Sequence, residues 1–316
     1  MGSYKVIAGQ NIYDVALHIY GSIEGLTDLL VSNELLSLDD DLQAGDVLYY
    51  TDDYLINKEV AAYYQTHGIT PASGELHVYP KSFTLPLTVE LYLSNAAING
   101  GFSASGHGKM EIDWGDNSAA EVITLDGNFA KVSHLFDSPT GGKRKVSLYM
   151  EGRFNLLNLN ELHPIALYIL KPIYVERFVL NDIALSIDWI PMLSGVFELC
   201  LDGLRTDVLT PLLELKELMS LSLRGTIYRQ PTLDAYLMGL VSRHDNRRSC
   251  KVTLQCEPSG EYRKPVKDEN GRYAVGSGME AIWVLTHESA WNEGSPWEFV
   301  INELIYKYEQ DNSANI

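Results

Sequence analysis

Residues 154–160 read FNLLNLN, and the pattern returns as VERFVLN at 175–181, VFELCLD at 196–202 and LMSLSLR at 218–224. The copies start at 154, 175, 196 and 218, so they are spaced by 21, 21 and 22 residues. Their apolar triplets are Phe154/Leu157/Leu159, Val175/Phe178/Leu180, Val196/Leu199/Leu201 and Leu218/Leu221/Leu223. A period of this size marks stacked units, none of which can bury its apolar face alone. Residues 153–316 are therefore expected to place one strand per repeat in a parallel sheet, with IDWIPMLSG and LTPLLELKE as connecting turns or short helices on its other side. The polar position closing each repeat is filled loosely, by Asn160, Asn181, Asp202 and Arg224, which predicts irregular coils.

Beyond the fourth repeat the turns lengthen. Thr232 to Val241 has helical spacing and ends in the basic run SRHDNRR. The strand KVTLQC, a polar hairpin-like insertion (EPSGEYRKPVKDENGRYAVGSG), a helix from Met279 to Glu288 and a final strand Trp297–Ile301 complete the region. The polar tail from about Glu309 is expected to fray. Arg243, His244, Arg247 and Arg248 form a local basic cluster, either a solvated helix end or a contact for an acidic partner, another copy of this chain included.

Upstream, residues 81–152 read as strands. Leu85 to Leu93 alternates, the Gly/Ser-rich GGFSASGHGK reads as a loop, and Met110, Ile112 and Trp114 point inward ahead of a turn at Gly115-Asp116-Asn117-Ser118. Residues 132–136 and 145–149 are further strands. Residues 52–80 read as a linker with one short helix from Asn57 to His67, followed by the breakers Gly68, Pro71, Gly74 and Pro80. Residues 1–51 give strand, helix, helix, strand: Tyr4-Lys5-Val6-Ile7, a turn at Gly9, a helix capped by Asn11, a second helix after Ser22, and the closing strand Val47–Tyr50. The fold class expected is multidomain α+β.

Three resemblances attach to these modules. The repeats resemble a leucine-rich-repeat α/β solenoid. Trp114-Gly115-Asp116, then His134-x-Phe136, then the alternating Val146 and Leu148, resemble a PKD-type immunoglobulin-like β-sandwich. Tyr4-Lys5-Val6, Gly9-Gln10-Asn11-Ile12, Val15-Ala16, Tyr20-Gly21, Asn33 and Gln43-Ala44-Gly45-Asp46-Val47-Leu48 resemble a βααβ LysM domain. That last resemblance implies a shallow groove for N-acetylglucosamine polymers between residues 9–12 and 33–38, with Gly9, Gln10, Asn11, Ile12, Asn33 and Leu35 as its candidate ligand-binding residues. The tract YGSIEGL at 20–26 is similar to LysM-type segments of phage tail and baseplate proteins, which implies docking to other proteins instead.

The bulk numbers narrow the function. The chain has 316 residues, 46% of them hydrophobic and 21% charged, as a folded protein has. A net charge of −18 disfavours binding to nucleic acid or an anionic membrane. No signal-peptide pattern and no apolar run long enough for a membrane span are seen. Cys250 and Cys256 on one strand would lie about 20 Å apart, too far for a disulfide, so free thiols are expected. The chain lacks the Walker pattern, the nucleophile elbow and the His-Glu-x-x-His motif. Asp113 with Asp116 falls short of a calcium shell, and His134 has no nucleophile beside it and reads as structural. No catalytic residue, cofactor or metal is expected. The expected function is that of a non-enzymatic phage- or prophage-derived tail-associated protein acting through protein–protein contacts, found in the virion or in the bacterial cytoplasm before assembly. The alternative is a cell-surface adhesin or a peptidoglycan-binding protein.

Overall fold

Asn11 sets the start of the first helix. Its side chain accepts the Asp14 N–H and the Asp14 carboxylate accepts the Asn11 N–H, both at 2.9 Å, a reciprocal capping box. In the computed structural model, which describes residues 1–7, 9–69, 81–116, 118–136 and 142–307, this helix belongs to the first of two units, Met1–Pro80 and Lys81–Ile316. The first unit runs β1 (Gly2–Lys5), α1 (Ile12–Tyr20), a 3-10 turn (Ile23–Gly25) capped by Ser22, α2 (Leu26–Ser32), β2 (Val47–Tyr50) and α3 (Lys58–His67). β1 and β2 pair antiparallel with Tyr4 opposite Leu48. Ile12, Val15, Ala16, Tyr20, Leu29 and Leu48 join Val6 in a small core.

Gly21 ends α1 in the left-handed region at φ 69°. A β-carbon there would stand 2.0 Å from the Asn57 carbonyl, so only glycine fits. The Tyr20 carbonyl in turn accepts the N–H groups of Ile56 and Asn57. The segment leading into α3 is thereby tied to α1, and Tyr64 meets His18 edge-on. Of the breakers read in the linker, Pro71, Gly74 and Pro80 lie outside the described residues.

The second unit carries the strands β3 (Leu87–Leu93), β4 (Asn99–Asp113), β5 (Glu121–Asp126), β6 (Ala130–Leu135), β7 (Arg144–Asn158), β8 (Ala166–Ile169), β9 (Ile173–Val179), β10 (Leu193–Ser194), β11 (Glu198–Cys200) and β12 (Ser220–Leu223). It ends with α4 (Gln230–Ser242), β13 (Lys251–Leu254), α5 (Gly278–His287), β14 (Glu298–Ile301) and β15 (Leu304–Lys307). β4 pairs antiparallel with β5, β6 and β7, and β3 pairs antiparallel with β7 and β8. The C-terminal half of β7 then pairs parallel with β9, and the parallel series continues through β11, β12, β13 and β14. β7 runs unbroken through position 152, and one hydrophobic core extends from Val89 to Ile301. The class is mixed α+β, dominated by this sheet. No described helix is long and apolar enough to cross a membrane.

The four repeats meet in register. Phe154 lies opposite Val175, Phe178 opposite Leu199, and Leu199 opposite Leu221. The polar positions form a ladder beside them. Asn160 Oδ1 accepts the Asn181 N–H at 2.7 Å, Asn181 Oδ1 accepts the Asp202 N–H at 3.0 Å, and Asp202 Oδ1 accepts the Arg224 N–H at 2.9 Å. Each side chain thus satisfies a backbone donor where the strand turns away and the regular ladder stops. The connections are 3-10 turns at Asn160–Leu162, Ile190–Met192 and Thr210–Glu214.

Two readings need correction. GGFSASGHGK is part of β4, not a loop. Its glycines are there for close approach: a β-carbon on Gly106 would sit 2.3 Å from the Arg153 carbonyl, on Gly108 2.2 Å from that of Glu151, and on Gly152 2.4 Å from that of His107. All three adopt positive φ, which aims a β-carbon at the partner strand, and a bulge falls at Ser105/Gly106. Trp297–Ile301 is not the last strand either, because Asn302 and Glu303 adopt positive φ and turn the chain back into β15.

Candidate interaction site

Five of the six candidate sugar-groove residues are engaged in holding the first unit together. Gly9 makes the turn at φ 85°. Gln10 is buried; its Oε1 accepts the Ile7 N–H at 2.9 Å and its Nε2 donates to the Tyr4 hydroxyl at 2.9 Å. Asn11 is the helix cap and Ile12 is core. Asn33 Nδ2 donates to the carbonyls of Leu29 and Tyr49, each at 2.8 Å, while its Oδ1 accepts the Tyr49 N–H at 2.9 Å, which stitches α2 to β2. Leu35 is the exception, 98% exposed.

Asn33 and Leu35 line one open cleft of about 720 Å³, bordered by residues 32–36, 40–42 and 46–49. Gly9, Gln10, Asn11 and Ile12 do not line it. Its wall is apolar at Leu35, Leu36, Leu42, Val47 and Tyr49, and its charged residues, Glu34, Asp40, Asp41 and Asp46, are all acidic. Two of these carboxylates each accept a local backbone N–H at 2.7 Å, Asp40 from Ser37 and Asp46 from Gln43. An apolar slot with a single-sign rim has the make-up of a contact surface. Sequence reasoning reached Asn33 and Leu35 through the family position; the acidic rim depends on folding residues 40–46 back against β2.

The Trp-Gly-Asp turn is similarly engaged. Asp113 Oδ1 receives Lys81 Nζ at 2.6 Å, and Asp116 Oδ2 pairs with His134 Nε2 at 2.7 Å. The His134 ring stacks on buried Trp114, centroids 4.7 Å apart and planes 4° apart. Arg144 donates to the Gly115 carbonyl at 3.0 Å and lies over Phe136. Asn117 lies outside the described residues. Among the described residues no group of three or more His, Cys, Asp or Glu is placed to hold a metal.

The cysteines and the basic cluster carry no reactive arrangement. The thiols of Cys200, Cys250 and Cys256 are free, and burial pushes each above the usual thiol range, away from the nucleophilic thiolate. Arg243 pairs with Glu214 and Arg248 with Glu217, both at 2.8 Å. Buried Arg247 donates to the carbonyls of Leu213 and Leu215. His244 stacks on Trp291, and burial, with Arg247 adding to it, pushes its pKa down to about 4. The cluster is tied down by its own chain. A cleft of about 830 Å³ sits beside Gly100, Gly101, His134 and Glu161; there His134 is held by Asp116, and Glu161 pairs with Lys131 at 2.8 Å.

Comparison with protein-family models, characterised proteins and solved structures finds no match for this chain.

Proposed function

We propose that this chain is a non-catalytic assembly protein, a phage- or prophage-derived tail-associated component acting through protein–protein contacts in the virion or, before assembly, in the bacterial cytoplasm. In this reading residues 1–51 are a LysM-like docking module, 81–152 a PKD-like sandwich and 153–316 a leucine-rich-repeat-like solenoid. One observation carries it: Gln10, Asn11 and Asn33, the polar side chains a glycan would need, are engaged by backbone and neighbours, while Leu35 stands 98% exposed beside an apolar cleft. The in-register repeats and the stacked Trp114–His134 pair support the other two modules. The test is co-purification with tail particles after prophage induction in the native host; particles complete without this chain would overturn the reading.

The second reading is retention on peptidoglycan or chitin, at the cell surface. It is favoured by Tyr49, whose half-exposed ring shares the cleft with Asn33 and can stack on a sugar. Binding to insoluble chitin that Tyr49→Ala abolishes would establish it.

A further inference from the structure

The acidic cleft of the first unit has a chemical counterpart elsewhere in the chain. In the insertion between β13 and α5, Val266 and Ala274 are joined by a backbone hydrogen bond of 2.8 Å, and Lys267 bridges Tyr273 antiparallel. This makes a short hairpin. Pro265 is buried and anchors it, while Val266 is 79% exposed. Three cations lie on the same hairpin: Lys264, Lys267 and Arg272. Among the described residues none of them has a carboxylate partner, whereas neighbouring Arg263 pairs with Glu280 at 3.2 Å. Lys264 and Lys267 instead lie over the rings of Trp283 and Tyr273, at 5.9 and 4.5 Å. At the hairpin tip Asp268 turns inward to accept the N–H groups of Asn270 and Arg272, and Glu269 is exposed.

We propose that the hairpin at Lys264–Tyr273 of one copy docks into the cleft around Leu35 of a second copy, so that the chain assembles head to tail. Val266 would meet Leu35, Val47 and Tyr49. Lys264, Lys267 and Arg272 would face Glu34, Asp40, Asp41 and Asp46. Charge complementarity selects this occupant. At −18 two copies repel overall, but the Debye length at physiological salt is about 8 Å, which screens distant charges and leaves contact pairs in force. The two surfaces differ, so after one contact each copy of the pair keeps one free surface; these either take up further copies, building a ring or a row, or close on each other. This inference rests on the assembly reading of the cleft and names one partner for it.

The test is sedimentation velocity of the full chain at physiological salt, from micromolar to hundreds of micromolar. The expected result is a mass that climbs above the 35.3 kDa monomer with concentration. Leu35→Ser, which disables the cleft, and Lys267→Glu, which disables the hairpin, should each weaken association about tenfold or more. Mixing those two variants should give one-to-one dimers that grow no further, because each supplies one working surface. Charge exchange within one chain, Asp41→Lys with Lys267→Glu, should restore growth. Both sites are exposed, and unchanged circular dichroism checks that each variant is folded. A chain that stays monomeric, or growth indifferent to both single variants, overturns the proposal. Either result leaves the particle co-purification free to support or sink the assembly reading separately.

Discussion

In the repeat strands Leu199, Leu201, Leu221 and Leu223 are at most 1% exposed, whereas in the first unit Leu35 is 98% and Val31 74% exposed. The residue type is the same and its setting is not. A repeat leucine has an equivalent apolar residue on the strand before it and another on the strand after it, so every copy closes its neighbour's core. Leu35 follows the end of α2 on a loop whose own core contacts are supplied by Leu36 and Leu42. Folding requires the first set and leaves the second available for contact. The same contrast holds for the amides: the repeat ladder and the caps of the first unit both use asparagine to satisfy backbone, but only the ladder repeats that use from strand to strand.

The sharpest way to break this comparison is Leu221→Ala. The side chain is fully buried between β11 and β13, and its truncation should cost about 2–5 kcal/mol, read as a lower denaturant midpoint in chemical unfolding. A loss below 1 kcal/mol would mean that the stack tolerates voids and is not cooperatively packed. Next comes Asn181→Ala, which leaves the Asp202 N–H without its acceptor and removes the contact to the Cys200 thiol. The expected cost is about 1–3 kcal/mol, with faster amide exchange at Asp202. Unchanged exchange there would show that the ladder is incidental.

How far these regions were legible beforehand follows the same physics. The repeat strands could be read because their apolar triplets recur at the offset that the strand register uses: Phe178 to Leu199 is one step in both. The cap at Asn11 could be read because capping is local; Ser22, read as the cap of the second helix, caps the 3-10 turn ahead of α2 instead, and α2 itself follows Gly25 without a side-chain cap. GGFSASGHGK could not, since glycine signals a turn unless a second glycine strand approaches it, and Gly152 lies more than forty residues away from Gly108. The length of β7 is hidden in the same way, for it runs through position 152 on account of partners on both sides that no local pattern reveals. At the candidate site the family position pointed to Asn33 and Leu35 alike. Only the hydrogen bonds separate them, one holding β2 and the other facing outward.

Within the first unit the comparison can be sharpened at Asn11. Asn11→Ala removes one half of the capping box and should cost about 1 kcal/mol, visible as reduced thermal stability; any accompanying loss of chitin retention would then follow from unfolding and not from a missing sugar contact. No change in stability would free Asn11 for a ligand role and weaken the assembly reading.

The smallest stability effect belongs to Leu35→Ser, within about 0.5 kcal/mol, because no packing is lost at a side chain exposed to this extent. Its value lies in the pairing with Leu221→Ala. If the buried leucine sets stability and the exposed one sets association, the two variants should separate cleanly: the first lowers the denaturant midpoint, and the second leaves that midpoint in place and changes only the sedimenting mass. A Leu35→Ser chain that unfolds early would mean that the loop after α2 is part of the core, and the cleft would lose its standing as a contact surface. A chain equally stable and equally associated would remove Leu35 from the interface and leave the charged rim, tested through Asp41, as the part that chooses the partner.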